Sequence, residues 1–251
     1  MMATSKYSAG IHAANRLLKS MPEKVRKLYL DERSKNPRLA ALKTRAREMG
    51  IPTQGARSHR LDDMAQGAAH QGVVIELTDL PNIDEAALRA SVESALALGR
   101  KPLLLILVGV QDPHNLGACL RTAEAAAVDA VIVPRTRATG LTPAARKVAS
   151  GAAEILPLVT VPSIARALDW IGSYGIRRIA TSDAASDSLY ACDYRVPTAL
   201  VMGPEGDGLS PEIMQRCDQT IAIPMAGVVE SLNVSVAAAV CLFEVVRQRS
   251  A

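Results

Sequence analysis

Along the front of the chain, apolar positions recur in short blocks whose period changes. Ile11, Ala14, Leu17 and Leu18 fall on one helical face, with Asn15 and Arg16 turned away from it. Residues 25–30 alternate like a strand. Residues 39–49 read as a basic helix that Gly50 ends, with Pro52 just beyond. Residues 71–77 read as a closing strand, so the front segment is expected to be a small α/β unit. A polar stretch over 78–84, broken by Pro81, marks a linker, taken as residues 78–90, and a helix is expected over 85–98. Beyond it strands and helices alternate. Residues 103–110 are a continuous apolar run, as in a strand covered on both faces. Further strands are expected over 130–133, 154–161, 176–181, 199–202 and 220–223, and helices over 116–127, 143–149, 164–171, 211–216 and 232–247. This alternation predicts an α/β domain over 91–251, built on a mostly parallel sheet with helices on both faces.

Composition narrows the class. The 251 residues suffice for one large or two small domains, and 49% hydrophobic with 22% charged residues is ordinary for a globular chain. The apolar run 102–110 is too short for a bilayer, and the run 234–246 is interrupted by Glu244. No apolar leader follows Lys6, so a cytoplasmic protein is expected. Cys119, Cys192, Cys217 and Cys241 form no C-x-x-C pair and have no histidine at ligand spacing. Neither zinc nor disulfides are expected, and the thiols should pack as small hydrophobes. His12, His59 and His70 are read as structural or surface residues.

Charge changes the picture more. Residues 1–76 hold 14 Lys and Arg against 7 Asp and Glu, a net +7; the remaining 15 and 18 give −3, which together make the +4 of the whole chain. A basic front on a near-neutral body points to a polyanion held mainly by the front, although a merely solvated basic surface has the same composition. Aromatic residues are only 3%, which argues against a base-stacking platform and leaves cations and backbone to hold any RNA.

In open parallel sheets, ligands bind at the loops leaving the carboxyl ends of the strands. Three such loops carry polar or glycine-rich sequence. The first, 111–124, contains Asn115, Arg121 and Glu124. Asn115 is placed to cap the following helix, and Arg121 is either a phosphate grip or the partner of Glu124. The second is Gly203-Pro-Glu-Gly-Asp-Gly-Leu209. Its G-x-x-G-x-G spacing, late in the chain, fails the dinucleotide fingerprint and so argues against a nicotinamide oxidoreductase. Glu205 within it is either functional or solvated. The third, 224–235, gathers Ser231, Asn233 and Ser235 at a helix start; ordinary capping explains one of these residues well and three poorly. No nucleophilic triad and no metal-ligand spacing is present in the sequence.

Taken together, Asn115-Leu-Gly with Arg121 and Glu124, then Gly203-Pro-Glu-Gly206, then Ser231-Leu-Asn-Val-Ser235 resemble the three motifs of the SpoU (TrmH) family of RNA ribose methyltransferases. Ser150-Gly-Ala152 resembles the short segment that the family carries between its first two motifs. Tyr7-Ser-Ala-Gly-Ile-His-Ala13 and Gly67-Ala-Ala-His-Gln-Gly72 resemble the family's N-terminal substrate-binding domain, which has an L30e-like fold. The likeness covers nearly the whole chain. The layout is most similar to the branch that methylates a guanosine ribose in 23S rRNA.

The resemblance implies residues 1–77 as an RNA substrate-binding domain and 91–251 as a catalytic domain whose C-terminal part is tied in a deep trefoil knot. It implies a homodimer with its active site at the interface. The methyl donor would be S-adenosyl-L-methionine, held by Gly203, Ile223 and Leu232 with Met202, Gly206 and Met225, and no metal is expected. Asn115, Arg121, Glu205, Ser231 and Asn233 would form the catalytic set. A free arginine stays protonated, which favours Arg121 as a phosphate- and ribose-positioning group over Arg121 as a base. The rival readings are a tRNA 2'-O-ribose methyltransferase and a non-catalytic RNA-binding or ribosome-assembly factor.

Overall fold

The computed structural model describes residues 7–20, 22–65, 69–78, 83–136, 138–204 and 208–250, without the side chains of His12, Arg16 and Ser20. It divides into two compact units, Met1–Pro81 with Leu141–Ile155, and Asn82–Gly140 with Leu156–Ala251. No described helix is long and apolar enough to cross a membrane.

The first unit runs β1 (Tyr7–Ala9), α1 (Ile11–Ser20), β2 (Val25–Asp31), α2 (Pro37–Glu48), β3 (Thr53–Ala56), α3 (Ser58–Ala65) and β4 (Val73–Leu77). Its sheet has the order β1-β4-β2-β3, with β4 antiparallel to both β1 and β2, and β3 parallel to β2. Strand alternation sorts β2 between two cores. Leu28 and Leu30 join Leu17, Leu18, Leu42 and Ile75 on one face, while Tyr29 packs with Leu61 and Val74 on the other. The strands β1 and β3 and the helix α3 were not foreseen. They are short and polar, and their period shows only against neighbours. The two N-terminal sequence motifs meet here, because Gln71 Oε1 accepts from the Ile11 amide at 3.3 Å and the Gly10 amide donates to the Val73 carbonyl at 3.1 Å. His70 is structural: its Nδ1 accepts from the Gly72 amide at 3.0 Å.

The second unit opens with α4 (Glu85–Ala97), which starts inside the stretch read as linker, capped by Asp84 accepting from the Ala87 amide at 2.8 Å. There follow β5 (Leu103–Leu107), α5 (Pro113–Ala125) and β6 (Ala130–Pro134). After α6 (Pro143–Ala149), which belongs to the first unit, the second resumes with β7 (Leu158–Val161), α7 (Ile164–Ser173), β8 (Arg177–Thr181), β9 (Asp187–Ser188) and β10 (Thr198–Met202). It closes with α8 (Pro211–Met214), β11 (Gln219–Ala222) and α9 (Val234–Ser250). The seven strands are parallel throughout, in the order β7-β6-β5-β10-β8-β11-β9. All five residues of β5 and all five of β10 are buried, as the unbroken apolar runs require. Leu104 and Ile106 point into a core with Ile132, Leu168 and Trp170. Leu105 and Leu107 alternate away and are equally buried.

The strand expected over 154–161 begins only at Leu158; Ala152–Glu154 is instead a 3-10 turn. Ser150 and Gly151 both adopt left-handed backbone, φ 53° and 91°, which turns the chain back so that Glu154 Oε1 meets Arg146 Nη1 at 2.9 Å. Residue 151 must be glycine, because a Cβ there would stand 3.0 Å from Ala13 Cα. Burial pushes the Glu154 carboxyl up, with Arg146 pulling against it.

Two ion pairs hold the C-terminal half. Arg178 grips Asp218 through Nη2 at 2.7 Å and Nε at 3.0 Å, and Arg247 grips Glu244 with two bonds of 2.7 Å. Gln248 and Arg249 then pin the end of α9: their side chains reach the Tyr194 amide at 3.0 Å and the carbonyls of Cys192, Tyr194, Val196 and Lys101 at 2.6–2.9 Å. The guanidinium partners hold the carboxyls of Asp218 and Glu244 below the usual range. Such groups stabilise the fold fully above their unfolded pKa, and the contribution is lost as pH falls through the depressed folded value. Replacing both, Asp218→Asn with Glu244→Gln, is therefore expected to lower the urea midpoint at pH 7. It should also flatten the decline in stability on acidification. Urea titrations at stepped pH check this, and an unchanged acid slope would contradict it.

Candidate active site

The strand order places a topological switch between β5 and β10: β6 and β7 lie to one side of the pair, β8 and β11 to the other. Parallel pairing runs from Thr198 beside Leu103 to Met202 beside Leu107 and is extended by the Val108 amide donating to the Met202 carbonyl at 2.8 Å. The first and second motif loops therefore leave the sheet side by side. A Cβ at Gly109, φ 77°, would lie 3.4 Å from Pro204 Cβ, so the two loops touch there. Gly109 was not singled out in the sequence, though a glycine ending an apolar strand is the available signal. Within the second loop a Cβ at Gly203 would come within 2.8 Å of Gly208 C and 2.9 Å of Leu209 N, both backbone atoms that cannot swing away.

The third loop reaches the first through α9, which packs along α5. Asn233 Nδ2 donates to Asn115 Oδ1 at 3.0 Å. Asn233 Oδ1 accepts from the Ser235 amide at 2.9 Å and the Ser235 hydroxyl at 2.6 Å, and the Asn233 carbonyl accepts from Val236 and Ala237. Asn233 is thus the N-terminal cap of α9 and the clasp between two motifs. The capping expected of Asn115 is not observed. Asp112 caps α5, its Oδ1 accepting from the His114 amide at 3.0 Å, with Pro113 at the first helical position. That leaves Asn115 in the first turn with its side chain turned to Asn233.

Arg121 is exposed on α5, and among the described residues no carboxylate pairs with it; Glu124, half-buried, has other interactions. Ser231 is exposed, Leu232 and Ile223 are half-buried, Met202 is buried and Met225 is 38% exposed. Glu205 and Gly206 lie outside the described residues. Among those described, no group of three or more His, Cys, Asp or Glu is placed to hold a metal. The cysteines are packed: Cys119, Cys192 and Cys241 are buried, and burial pushes the thiol of Cys217 up to about 11 and that of Cys241 up to about 12. Burial also raises the thiol of Cys192, so Cys192, Cys217 and Cys241 are not thiolate nucleophiles at neutral pH.

A switch-point site assembled from three loops, with no dinucleotide fingerprint, sets the class, and the comparisons name it. Residues 102–243 match the SpoU rRNA Methylase family and residues 9–82 match the RNA 2'-O ribose methyltransferase substrate-binding family. The chain belongs to the SpoU rRNA methylase family. It is 44% identical over 240 residues, 96% of each chain, to the 23S rRNA (guanosine-2'-O-)-methyltransferase RlmB of Photobacterium profundum. It is 45% identical over 241 residues, again 96% of each, to the protein of that name from Pseudomonas aeruginosa. Among solved structures, the SpoU methyltransferase AviRb from Streptomyces viridochromogenes in complex with AdoMet superposes with a TM-score of 0.74 at 25% identity, over 97% of this chain and 90% of that one.

The clasp can be measured. Asn115→Ala and Asn233→Ala are each expected to destabilise the fold, the latter by about 1–2 kcal/mol because it also removes the cap. A double-mutant cycle should return a coupling of about 0.5–1.5 kcal/mol. Additive effects in thermal melts would show that the two side chains do not communicate.

Proposed function

We propose that the chain transfers the methyl group of S-adenosyl-L-methionine to a guanosine ribose 2'-hydroxyl in 23S rRNA. The single observation that carries the site assignment is the Asn115–Asn233 bond, which draws the first and third motifs into one constellation. RlmB names on relatives 43–45% identical over nearly the full chain support the substrate.

S-adenosylmethionine would supply a methyl on a positively charged sulfur: the ribose 2'-oxygen takes it in line as the carbon–sulfur bond breaks, the neutral thioether leaves, and the hydroxyl proton is released to water. The protein's task is then to position the two reactants. Gly203 and Gly206, Ile223, Leu232, Met202 and Met225 hold the methyl donor. The tight Gly203 approach to Gly208 and Leu209, which leaves backbone rather than side chain at the loop, suits such a cradle. Arg121, exposed and with no ion-pair partner among the described residues, offers its fork to a phosphate beside the target ribose, a positioning role rather than that of a base. Asn115, Asn233, Ser231 and Glu205 orient Arg121, the ribose and the donor.

In this reading residues 1–77 are the RNA-binding domain of L30e-like fold, 78–90 the linker and 91–251 the catalytic domain with a trefoil knot. The chain acts in the cytoplasm as a homodimer with its site at the interface. Exposed apolar side chains on the third loop and α9, with Val228 at 99%, Val229 at 67% and Phe243 at 49%, support a second copy covering that region.

Arg121→Ala is expected to lower methyl transfer to rRNA by a hundredfold or more, on the order of a lost transition-state contact, while donor affinity by calorimetry stays unchanged. Full transfer by that variant would remove Arg121 from the mechanism. Gly203→Ala is expected to do the opposite, weakening donor binding at least tenfold because the loop must shift; an unchanged affinity would discard the cradle. The position methylated is read by mapping labelled rRNA and tRNA pools.

A further inference from the structure

The charge excess of the front segment is not spread over it. Residues 33–47 hold Arg33, Lys35, Arg38, Lys43, Arg45 and Arg47 and no acidic residue. Five of these cations are exposed and Arg45 is half-buried. Among the described residues none of the six forms an ion pair, whereas other arginines do, Arg178 with Asp218 and Arg247 with Glu244 among them.

The helical turn of 100° per residue sorts those on α2. Leu39, Leu42 and Ala46 form the buried stripe. Arg38 and Arg45 flank it on one side, two turns apart; Lys43 and Arg47 flank it on the other, one turn apart. The outward crest between the two rows is Pro37, Ala40, Ala41 and Thr44, all exposed and uncharged, and it ends at the exposed Glu48, the one carboxylate of the helix. Arg33 and Lys35 continue the positive charge into the loop that leads to the helix. Asn36 fixes that entry, its Oδ1 accepting from the Arg38 amide at 3.0 Å, with Pro37 at the first helical position.

Deepening the RNA methyltransferase reading, on which this rests, we propose that α2 is a docking rail for double-stranded RNA, its two rows of cations set against phosphates of the two strands. A helix with its side chains is about 10–12 Å across, and the minor groove of A-form RNA is wide, shallow and bordered by both backbones. Ahead of Glu48 the crest is low and uncharged, which lets the helix settle there, tilted at its C-terminal end, while the rows on its flanks meet phosphate. The crest has no aromatic ring on which unpaired bases would stack, which disfavours single strands. It has no large apolar residue to enter a membrane, so an anionic lipid surface is a poor match. The contact is made by charge and shape and reads no base, which leaves the choice of nucleotide to the catalytic unit.

The test uses the full-length chain and two variants, R38A/R45A and K43A/R47A. Alanine favours helix, so α2 is expected to stay folded, and circular dichroism confirms it. Binding to a fluorescent RNA hairpin duplex is followed against salt, with a single-stranded RNA of the same length beside it. Each variant is expected to weaken duplex binding and to lower the salt slope by about two, one per cation removed. The single strand should be affected less. KM for rRNA should rise while kcat at saturating RNA and affinity for S-adenosylmethionine hold, and R38K/R45K should retain duplex binding. An unchanged duplex affinity and slope, or an equal loss on the single strand, would overturn the rail. Failure of the wild-type chain to methylate any RNA would overturn the functional reading instead, and the binding data would still judge α2.

Discussion

The parallel pairing of β5 with β10 is the constraint on which the rest depends. Both strands are buried on both faces, so neither tolerates a shift in register without exposing apolar side chains or leaving backbone polar groups unpaired. Because they point the same way, their carboxyl ends release two loops at one place. The α5 helix begins from one of these loops, and α9 returns along α5 to bring the third. Asn233 then serves the junction with both ends of its amide: the oxygen accepts at its own helix start and the nitrogen donates to Asn115. The site is thus a by-product of sheet order, locked by one side chain.

Long apolar or strongly periodic segments were legible in the sequence. The runs at 103–110 and 199–202, the helix at 143–149 and the alternation that implies a parallel sheet all have a local cause, burial on a regular element. What escaped lacked one. The strand β3, Thr-Gln-Gly-Ala, has no apolar alternation and forms because β2 offers it an edge. The stretch 154–157 looks extended, but Glu154 is drawn back to Arg146 through two left-handed residues, a tertiary demand invisible in local pattern. Asn115 resembled a cap because it precedes an apolar run; Asp112 and Pro113 start the helix earlier and free it for a contact more than a hundred residues away. The three motif loops were visible as polar breaks after strands, yet their convergence came from the family resemblance and then from the sheet order.

Charge is used differently in the two units. In the second, arginines are mostly internal fasteners: Arg178, Arg247 and Arg249 tie strands and the last helix together through carboxylates and carbonyls. In the first, the α2 cations have no such partners among the described residues. The same residue type is a rivet where acids or carbonyls face it and a handle where none does, and the uneven net charge along the sequence is the trace of that division.

The return of residues 141–155 to the first unit has a consequence for the order in which the protein is made. Gly151 packs on Ala13, and Ile155 packs against the core formed by Leu17, Leu28 and Ile75. The front unit leaves the ribosome long before these partners exist. At synthesis rates of roughly 5–20 residues per second, the wait is on the order of ten seconds. During that interval the first core, already covered by α1 and α2, lacks the contacts of Gly151 and Ile155. It is completed only when the chain has already laid down β5 and β6 and passed into the turn before β7.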